Sequence, residues 1–285
     1  RRWLNRFGEE QTIRLCETDN SQPSLTLRFN PLKVRREDFE AILRSEGIAH
    51  TPSSFLNEYF KLKGSLNIGE WGHFKRGLCT VQDAAGGLPV RLLSPESGDT
   101  ILDICAAPGG KATYIAELVA DDAFIMASDI QFKKSLLLAD NVRRLGIRSV
   151  KVVVCDGTTY SYPEADKILL DVPCSGTGVI SKRSDLRWKR KEKDIEDLAE
   201  LQLSLLHNAA HRLREGGVIV YSTCTMEEEE NRRVIERFLG QFPNFSVEPA
   251  DNFVPIQVVS SSGFVETFPH VHGIDGSFAA RLSKL

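Results

Sequence analysis

Short apolar runs alternate with amphipathic segments from about residue 100 to the end of the chain. Each run has the composition of a buried strand, and most are followed by apolar positions at helical spacing. The predicted strands span residues 101–104, 124–127, 150–154, 167–170 and 218–222, and the predicted helices span 111–119, 133–145, 194–214 and 227–239. Strands that alternate with helices indicate an α/β domain with a parallel sheet covered on both faces.

Glycines and charges mark the expected ends of these helices. Gly146 is predicted to cap the second helix, and Gly216–Gly217 to stop the third. The acidic run Glu227–Glu230 is typical of a helix N-terminus, where the macrodipole favours negative charge.

Residues 1–75 lack this regular alternation. A strand is predicted over residues 24–29, and a helix over 35–45 that ends before Gly47. We therefore expect a small α+β accessory domain at 1–75 and a larger domain at 76–285.

Composition narrows the class of protein. The 285 residues are 41% hydrophobic and 26% charged, as in ordinary globular proteins. No apolar run approaches the ~20 residues needed to cross a bilayer, so no membrane span is expected. The net charge of -3 and the pI near 6.1 argue weakly against nucleic acid. Binding depends on where the charge lies, however, rather than on its sum.

Six cysteines are spread along the chain without a C-x-x-C pair. This spacing favours neither a disulfide framework nor a zinc site. The sequence therefore predicts a reducing, cytoplasmic setting and no metal. Small buried filler is the simplest role for Cys16, Cys79 and Cys155, and Cys105 is expected to be structural.

Polar residues follow several predicted strands at the point where each strand ends. In open α/β sheets, ligands bind beyond the carboxyl ends of the strands. We therefore expect one site to gather Cys105–Lys111, Asp129, Asp156, Asp171 and Cys224.

The segment Asp103–Lys111 reads Asp-Ile-Cys-Ala-Ala-Pro-Gly-Gly-Lys, a strand, a turn of small residues and a helix. Small residues let a ligand approach the backbone, yet the spacing matches neither a dinucleotide nor a phosphate loop. Alone, such a turn is best explained by packing. Asp129 suits the two hydroxyls of a ribose and Asp156 an adenine amino group, and together they favour an adenosine-containing ligand.

Two cysteines follow adjacent strands. Cys174 lies in Pro-Cys-Ser-Gly-Thr-Gly, directly after Asp171, and Cys224 lies in Ser-Thr-Cys-Thr. A thiolate is a strong nucleophile when its surroundings lower its pKa. Two thiols beside an acid favour a functional role over filler.

These motifs resemble those of the RNA 5-methylcytosine methyltransferases of the Sun/Fmu (RsmB-like) and NOL1/NOP2 type. The likeness extends over nearly the whole chain and includes Leu27–Asn30, Val81–Asp83 and His272–Phe278. It implies a Rossmann-like class I methyltransferase fold with a mostly parallel seven-stranded sheet in the catalytic domain, 76–285, and a role in RNA binding for the accessory domain, 1–75.

The resemblance also implies the cofactor and the roles of site residues. S-adenosylmethionine would be bound, with S-adenosylhomocysteine as the product. Its site would be lined by Cys105, Ala106, Ala107, Pro108, Gly109, Gly110, Lys111, Asp129, Asp156 and Asp171. Cys224 would be the nucleophile, Cys174 would help release the product, and Asp171 could contact the edge of the base.

The same resemblance suggests the substrate. DNA cytosine methylases use a Pro-Cys cysteine as the nucleophile, so the additional Thr-Cys motif favours RNA. Small-subunit (16S) ribosomal RNA is preferred; transfer RNA, a DNA cytosine methylase and a non-catalytic RNA-binding assembly factor are the alternatives. Close bacterial members carry an upstream RNA-binding domain resembling NusB, which would precede Arg1.

A basic stretch follows the Cys174 motif. A charge run is usually a solvated face, but its position and the tryptophan within it favour phosphate contact and base stacking. The candidate RNA-binding residues are Lys182, Arg183, Arg187, Trp188, Lys189 and Arg190.

Overall fold

Two sheets organise the protein, which a computed structural model describes over residues 1–285. The smaller sheet has four antiparallel strands in the order β2–β3–β1–β4. The N-terminal elements are α1 (Arg2–Asn20), β1 (Thr26–Phe29), α2 (Arg36–Ser45), β2 (His50–Pro52), β3 (Tyr59–Leu62), α3 (Gly72–Lys75) and β4 (Cys79–Val81).

The larger sheet contains the remaining strands. Its elements up to the middle of the sheet are α4 (Ala84–Leu93), β5 (Thr100–Ile104), α5 (Gly110–Leu118), β6 (Phe124–Asp129), α6 (Phe132–Leu145), β7 (Val150–Val154) and β8 (Ala165–Asp171). The later elements are α7 (Leu186–Lys189), α8 (Glu192–Ala210), β9 (Leu213–Thr223), α9 (Arg232–Gln241), β10 (Phe245–Glu248), β11 (Val265–Thr267), α10 (Pro269–His272) and β12 (Ser277–Lys284).

The order in the larger sheet is β10–β12–β9–β8–β5–β6–β7, and β11 pairs with β12. The five strands from β9 to β7 are parallel, and the other three are antiparallel. The predicted α/β class, with a mostly parallel sheet and a small N-terminal domain, is confirmed. The continuous path has the seven strands expected, and the short strand β11 pairs with β12 outside this path as an eighth strand.

The strands are apolar on both sides because both faces are covered. Along β5, Ile101 packs into one hydrophobic cluster, whereas Leu102 and Ile104 pack into the cluster on the opposite face. All three side chains are fully buried. This burial explains why the strands read as continuous apolar runs rather than alternating ones. None of the helices combines the length and apolarity that crossing a membrane requires.

The small sheet takes its last strand from beyond residue 75. Strand β4 pairs with β1 in a register that sets Phe29 opposite Cys79. The connection to the larger domain therefore follows β4 and leads directly into α4.

Three elements differ from the predictions. Helix α1 was not predicted; it kinks at Gly8 and is held by Glu227, which accepts hydrogen bonds from Arg2 and Trp3. Helix α8 ends at Ala210, before the expected stop. The two stop glycines lie inside β9, where a Cβ on Gly217 would come within 2.7 Å of the Asp166 carbonyl oxygen.

The acidic run was predicted to form the first turn of an α-helix, but it does not. Glu228–Glu230 form one 3₁₀ turn, the backbone breaks at Asn231, and α9 starts at Arg232. Glu230 is fully buried and Glu227 nearly so, which a solvated helix end would not require.

A buried ion pair joins the two domains. Arg28, on β1, is fully buried and donates to both carboxylate oxygens of Glu117 on α5, at 2.8 and 2.9 Å. Its other donors reach the Gly110 carbonyl at 2.7 Å, the Thr113 hydroxyl at 3.0 Å, and Gln82. Every guanidinium N–H therefore has a partner, as a buried charge requires.

Removing Arg28 alone should be costly. Arg28→Met leaves Glu117 buried without its cation, and we expect it to lower the free energy of unfolding by about 3–5 kcal/mol. Denaturant unfolding followed by tryptophan fluorescence measures this loss. The double variant Arg28→Met/Glu117→Leu should lose less, because no unpaired carboxylate stays in the core. Equal losses in the two variants would contradict this account.

Candidate active site

The carboxyl ends of the parallel strands border one cavity of about 480 Å³. This volume lies within the usual range for a small-molecule site. The predicted residues that line it are Cys105, Ala107, Asp129, Asp156, Asp171, Cys174, Arg183, Arg190 and Cys224. The topology thus brings together half of the eighteen predicted site residues, whereas the other half do not line this cavity: Ala106, Pro108, Gly109, Gly110, Lys111, Lys182, Arg187, Trp188 and Lys189.

The turn after β5 leads into α5 at Gly110. Gly109 has φ +100°, and a Cβ there would come within 2.9 Å of the Leu138 side chain. The glycine is therefore required by both backbone conformation and packing. Burial raises the pKa of Cys105, whose backbone φ is +63°, so this thiol is not an activated one.

Two strand-end acids differ in their surroundings. Asp129 is nearly buried and accepts backbone N–H groups from Gln131 at 2.8 Å and Ala107 at 3.3 Å. Asp156 is exposed and accepts from the hydroxyl and backbone N–H of Thr158, which lower its pKa. Both carboxylates border the cavity, on the side of the turn after β5.

Asp103 is a third acid, to which the sequence analysis gave no role of its own. It is fully buried on β5, and neither carboxylate oxygen has a hydrogen-bond partner. Burial and the nearby Asp171 raise its pKa well above the usual range. The signal in the sequence is an aspartate inside an otherwise apolar strand, since buried acids are rare unless they serve a purpose.

Asp171 is held from two sides. Lys111 Nζ donates to one carboxylate oxygen at 2.5 Å, and the Ser222 hydroxyl donates to the other at 2.8 Å. Burial opposes the charge on Lys111, but Asp171 outweighs it and the pKa of Lys111 is raised. The lysine that the motif assigned to the cofactor loop thus directs its charge toward the end of β8.

The two predicted thiols face each other. Cys174 Sγ lies 3.1 Å from Cys224 Sγ, and both cysteines are free. The Cys224 backbone N–H also donates to Cys174 Sγ at 3.3 Å. Cys224 is exposed and Cys174 half-buried, so the second thiol is the more accessible of the pair.

Their environments separate the two thiols. The hydrogen bond from Cys174 lowers the pKa of Cys224, and Lys111 acts in the same direction. The same hydrogen bond, together with burial, raises the pKa of Cys174. Cys224 is therefore the sulfur poised as a thiolate, and Cys174 the one that keeps its proton.

The loop that follows Cys174 meets the tail motif through backbone rather than side chains. Gly178 donates to the Cys224 carbonyl at 3.1 Å and accepts from Gly276 N at 2.8 Å. A Cβ on Gly178 would lie 2.1 Å from the Gly276 carbonyl oxygen. The loops that carry the two cysteines and the tail motif therefore touch directly.

Some side chains of the basic stretch at residues 182–190 bond to other residues of the protein, and others do not. Lys182 bonds Asp83 at 2.6 Å and Asp275 at 2.8 Å. Lys189 pairs with Asp185 at 3.0 Å. These two lysines are thus engaged within the protein, although the sequence suggested that they face RNA.

The arginines and the tryptophan follow the same division. Arg187 donates to Asn20 and to the Asp19 carbonyl of α1, both at 2.6 Å, and Arg190 donates to the Ser175 and Cys174 carbonyls. Arg183 and Trp188 make no side-chain hydrogen bond, and Trp188 is 88% exposed.

Of the remaining cysteines, Cys155 lines this cavity, whereas Cys16 and Cys79 lie outside it. Cys79 is buried, as expected for filler, and Cys155 is half-buried, 3.4 Å from the Tyr162 hydroxyl. Cys16 is exposed on α1, so its expected role as small buried filler is wrong. No cluster of histidine, cysteine or acidic side chains is arranged to hold a metal ion.

The doubly wound sheet, the glycine turn after β5 and the cavity at the carboxyl edge define a protein with a Rossmann-like methyltransferase fold. The chain belongs to the family described as 16S rRNA methyltransferase RsmB/F, whose model matches residues 90–283. The ferredoxin-like domain of RsmF/B-like methyltransferases matches residues 1–69. The family resemblance seen in the motifs is thereby confirmed.

Individual relatives agree with this assignment. A probable ribosomal RNA small subunit methyltransferase B of Synechocystis is 38% identical over 285 residues, covering 98% of this chain. This chain spans 64% of that relative's length.

Solved structures show the same architecture. NSun6 of Pyrococcus horikoshii, solved with SFG, has a TM-score of 0.89 at 25% identity, covering 99% of this chain and 96% of its own. A methyltransferase homolog from Pyrococcus horikoshii has a TM-score of 0.86 at 30% identity, covering 98% and 92%.

Cys174→Ala should shift the reactivity of Cys224 to higher pH. The variant removes the hydrogen bond that lowers the pKa of Cys224, so less thiolate is present at a given pH. The measurement is the pH dependence of iodoacetamide labelling, with each cysteine quantified by mass spectrometry. The exposed Cys16 is an internal control whose profile should not move. An unchanged profile for Cys224 would show that Cys174 does not activate it.

Proposed function

We propose that this chain is an S-adenosylmethionine-dependent RNA cytosine-5 methyltransferase that acts on small-subunit ribosomal RNA through a covalent bond to Cys224. One observation carries the proposal: an exposed thiol with a lowered pKa opens into the cavity that Asp129 and the turn after β5 also line. A nucleophile and a site for a small ligand thus share one space.

The residues fit an adenosine-containing methyl donor. Asp129 has acceptor capacity left for a ribose, and the exposed Asp156 is available to an amino group. Asp103, buried without a partner beside them, is an unused hydrogen-bonding group of the kind a ligand satisfies. When bound, S-adenosylmethionine would supply an electrophilic methyl group at this edge of the sheet.

The chemistry requires a nucleophile because carbon 5 of cytosine is too electron-poor to take a methyl group directly. The Cys224 thiolate adds to carbon 6, which makes carbon 5 electron-rich. Asp171 is suited to hydrogen-bond the ring at nitrogen 3 or the amino group, and Lys111 holds that carboxylate in place at 2.5 Å. These two residues would stabilise the ring while the sulfur is attached.

Turnover requires that the carbon–sulfur bond break again. After methylation, a base takes the proton from carbon 5, the electron pair of that bond reforms the double bond to carbon 6, and Cys224 departs as a thiolate. Cys174 keeps its proton and lies 3.1 Å from that sulfur. A thiol that donates to the departing thiolate lowers the cost of its departure. This contact supports a role for Cys174 in product release.

RNA is the substrate that the surroundings favour. Next to the site, sharing Leu186 and Arg190 with it, lies a second cavity of about 900 Å³. Five basic side chains, including Arg1, Arg2 and Lys191, and three acidic side chains line this cavity. A groove with a surplus of positive charge beside a catalytic cavity suits a phosphate backbone, with the target base flipped inward. The name of the Synechocystis relative supports ribosomal RNA.

The cysteines should fail at different steps. Cys224→Ala should abolish methyl transfer and covalent adduct, because no sulfur remains to attack carbon 6. Cys174→Ala should still attack but release slowly, so a protein–RNA adduct should accumulate. The measurement is transfer of labelled methyl from S-adenosylmethionine to 16S RNA, with the adduct resolved on denaturing gels.

Other outcomes would favour the alternatives. Adduct formation at Cys174 with Cys224 dispensable would indicate chemistry like that of DNA methylases. Transfer to transfer RNA but not to 16S RNA would change the substrate. Binding of RNA without any transfer would leave an assembly factor that retains the fold.

Arg183 and Trp188 should contribute to RNA affinity in distinct ways. Trp188→Ala should weaken binding by about 1–3 kcal/mol if one base stacks on the ring. Arg183→Ala should reduce the slope of log K against the logarithm of salt concentration by about one, as expected for the loss of one phosphate contact. Fluorescence anisotropy across a salt series measures both effects. Arg214→Ala is the matched control, since Arg214 pairs with Asp166 at the other end of the strands.

A further inference from the structure

We propose that Glu230 and Asn231 are positioning residues that set the distance between the two thiols from beneath the site. Each residue holds the segment around one cysteine. The roles that we give to the thiols rest on the proposed function, whereas the positioning itself rests on contacts within this chain.

Glu230 holds the Cys174 segment. Its Oε1 accepts the Ser175 backbone N–H at 2.8 Å and Gln202 Nε2 at 3.0 Å. The same Gln202 nitrogen donates to the Pro173 carbonyl at 2.9 Å. The residues on either side of Cys174 are therefore both tied to this one carboxyl group, directly or through Gln202.

Asn231 holds the Cys224 segment. Its Nδ2 donates to the Thr225 carbonyl at 3.0 Å, and its Oδ1 accepts the Thr223 hydroxyl at 2.6 Å. The residues on either side of Cys224 are thus bound by one amide. Two neighbouring residues fix the two sulfur-bearing segments in the same manner.

The two segments are also linked to each other. The Thr225 hydroxyl lies 2.7 Å from that of Ser175 and 2.9 Å from that of Thr177. Ser175, Thr225, Glu230 and Asn231 are each no more than 5% exposed, so water does not compete for these bonds. The bonds that this buried polar network makes favour one geometry, because losing any of them is expensive; Glu230 Oε2 is the one carboxylate oxygen in it that has no partner.

The local backbone indicates that these bonds are selected over helix formation. Four consecutive glutamates would favour the first turn of a helix, yet the chain forms a 3₁₀ turn and breaks at Asn231 (φ -114°, ψ -103°). The break points both side chains inward. Burial raises the pKa of Glu230, so its neutral form is favoured more than that of an exposed glutamate.

The consequence is that removing Glu230 should act through Cys174. Glu230→Leu has similar volume but no acceptor, which leaves the Ser175 N–H buried and unpaired. We expect Cys174 Sγ to move out of hydrogen-bonding distance of Cys224 Sγ. Labelling of Cys224 by iodoacetamide should then move to higher pH, as in Cys174→Ala, and the RNA adduct should accumulate about tenfold over the unchanged protein.

Conservative and control variants separate positioning from general damage. Glu230→Gln keeps an oxygen acceptor for Ser175 and should largely restore the labelling profile. Phe238→Leu lies in the fully buried core of the adjoining helix α9 and lowers stability without touching either cysteine segment. It should leave the labelling profile unchanged. If Glu230→Leu does not fold, Asn231→Asp serves instead: it keeps the Thr223 bond, loses the donor to Thr225, and should slow labelling of Cys224 about tenfold.

The two arms fail separately. If Cys174→Ala accumulates no adduct on RNA, the proposed function is wrong, but labelling still tests the positioning. If Cys174→Ala moves the labelling profile and neither Glu230→Leu nor Asn231→Asp affects Cys224, the positioning role is refuted. If Phe238→Leu shifts the profile as much as Glu230→Leu, general destabilisation explains the effect and the proposal is overturned.

Discussion

The contact between Arg28 and Glu117 is the interaction on which the arrangement of this protein depends. A guanidinium removed from water must find partners for all of its donors, and here all of those partners except Gln82 lie on α5. The arginine comes from β1 of the small sheet, whereas α5 follows the turn that borders the cavity. The small domain thus fixes the position of α5 through the buried guanidinium of Arg28.

This constraint gives the small domain a part in the site without contributing any residue to its chemistry. Glu117 alone would be an unpaired acid, since burial raises its pKa and only Arg28 opposes that effect strongly. The same principle operates around Lys111, whose charge is retained because Asp171 faces it. Asp103, which has no cation, is the acid that burial and its neighbours drive toward the neutral form. Arg28 and Lys111 are therefore each held by one carboxylate, whereas Asp129 and Asp156 at the edge of the sheet accept only N–H and hydroxyl groups.

The sequence was informative where function follows from strand ends. Five apolar runs in a β–α alternation require a parallel sheet, and parallel strands place their carboxyl ends at one edge. Asp129, Asp171 and Cys224 could therefore be assigned to one region before any coordinates were known. Periodicity carries that information because it depends only on local spacing.

Partners that lie far along the chain could not be predicted in this way. Arg187 is held by α1, at the other end of the sequence, and Lys182 by Asp83 and Asp275. A run of positive charge looks the same whether it faces water or a distant carboxylate. The glutamates before α9 were misjudged for the same reason: the groups that attract Glu230 inward belong to segments more than twenty residues away.

The contact between Gly178 and Gly276 has a consequence for how such a site can change over time. Where two main chains touch, there is no rotamer to adjust and no methyl group to add or trim. The junction between the loop after Cys174 and the tail motif is thus inherited as a whole with the paths of the two loops. Adaptation to a different target sequence would have to occur on exposed side chains such as Trp188, while this junction stays constant.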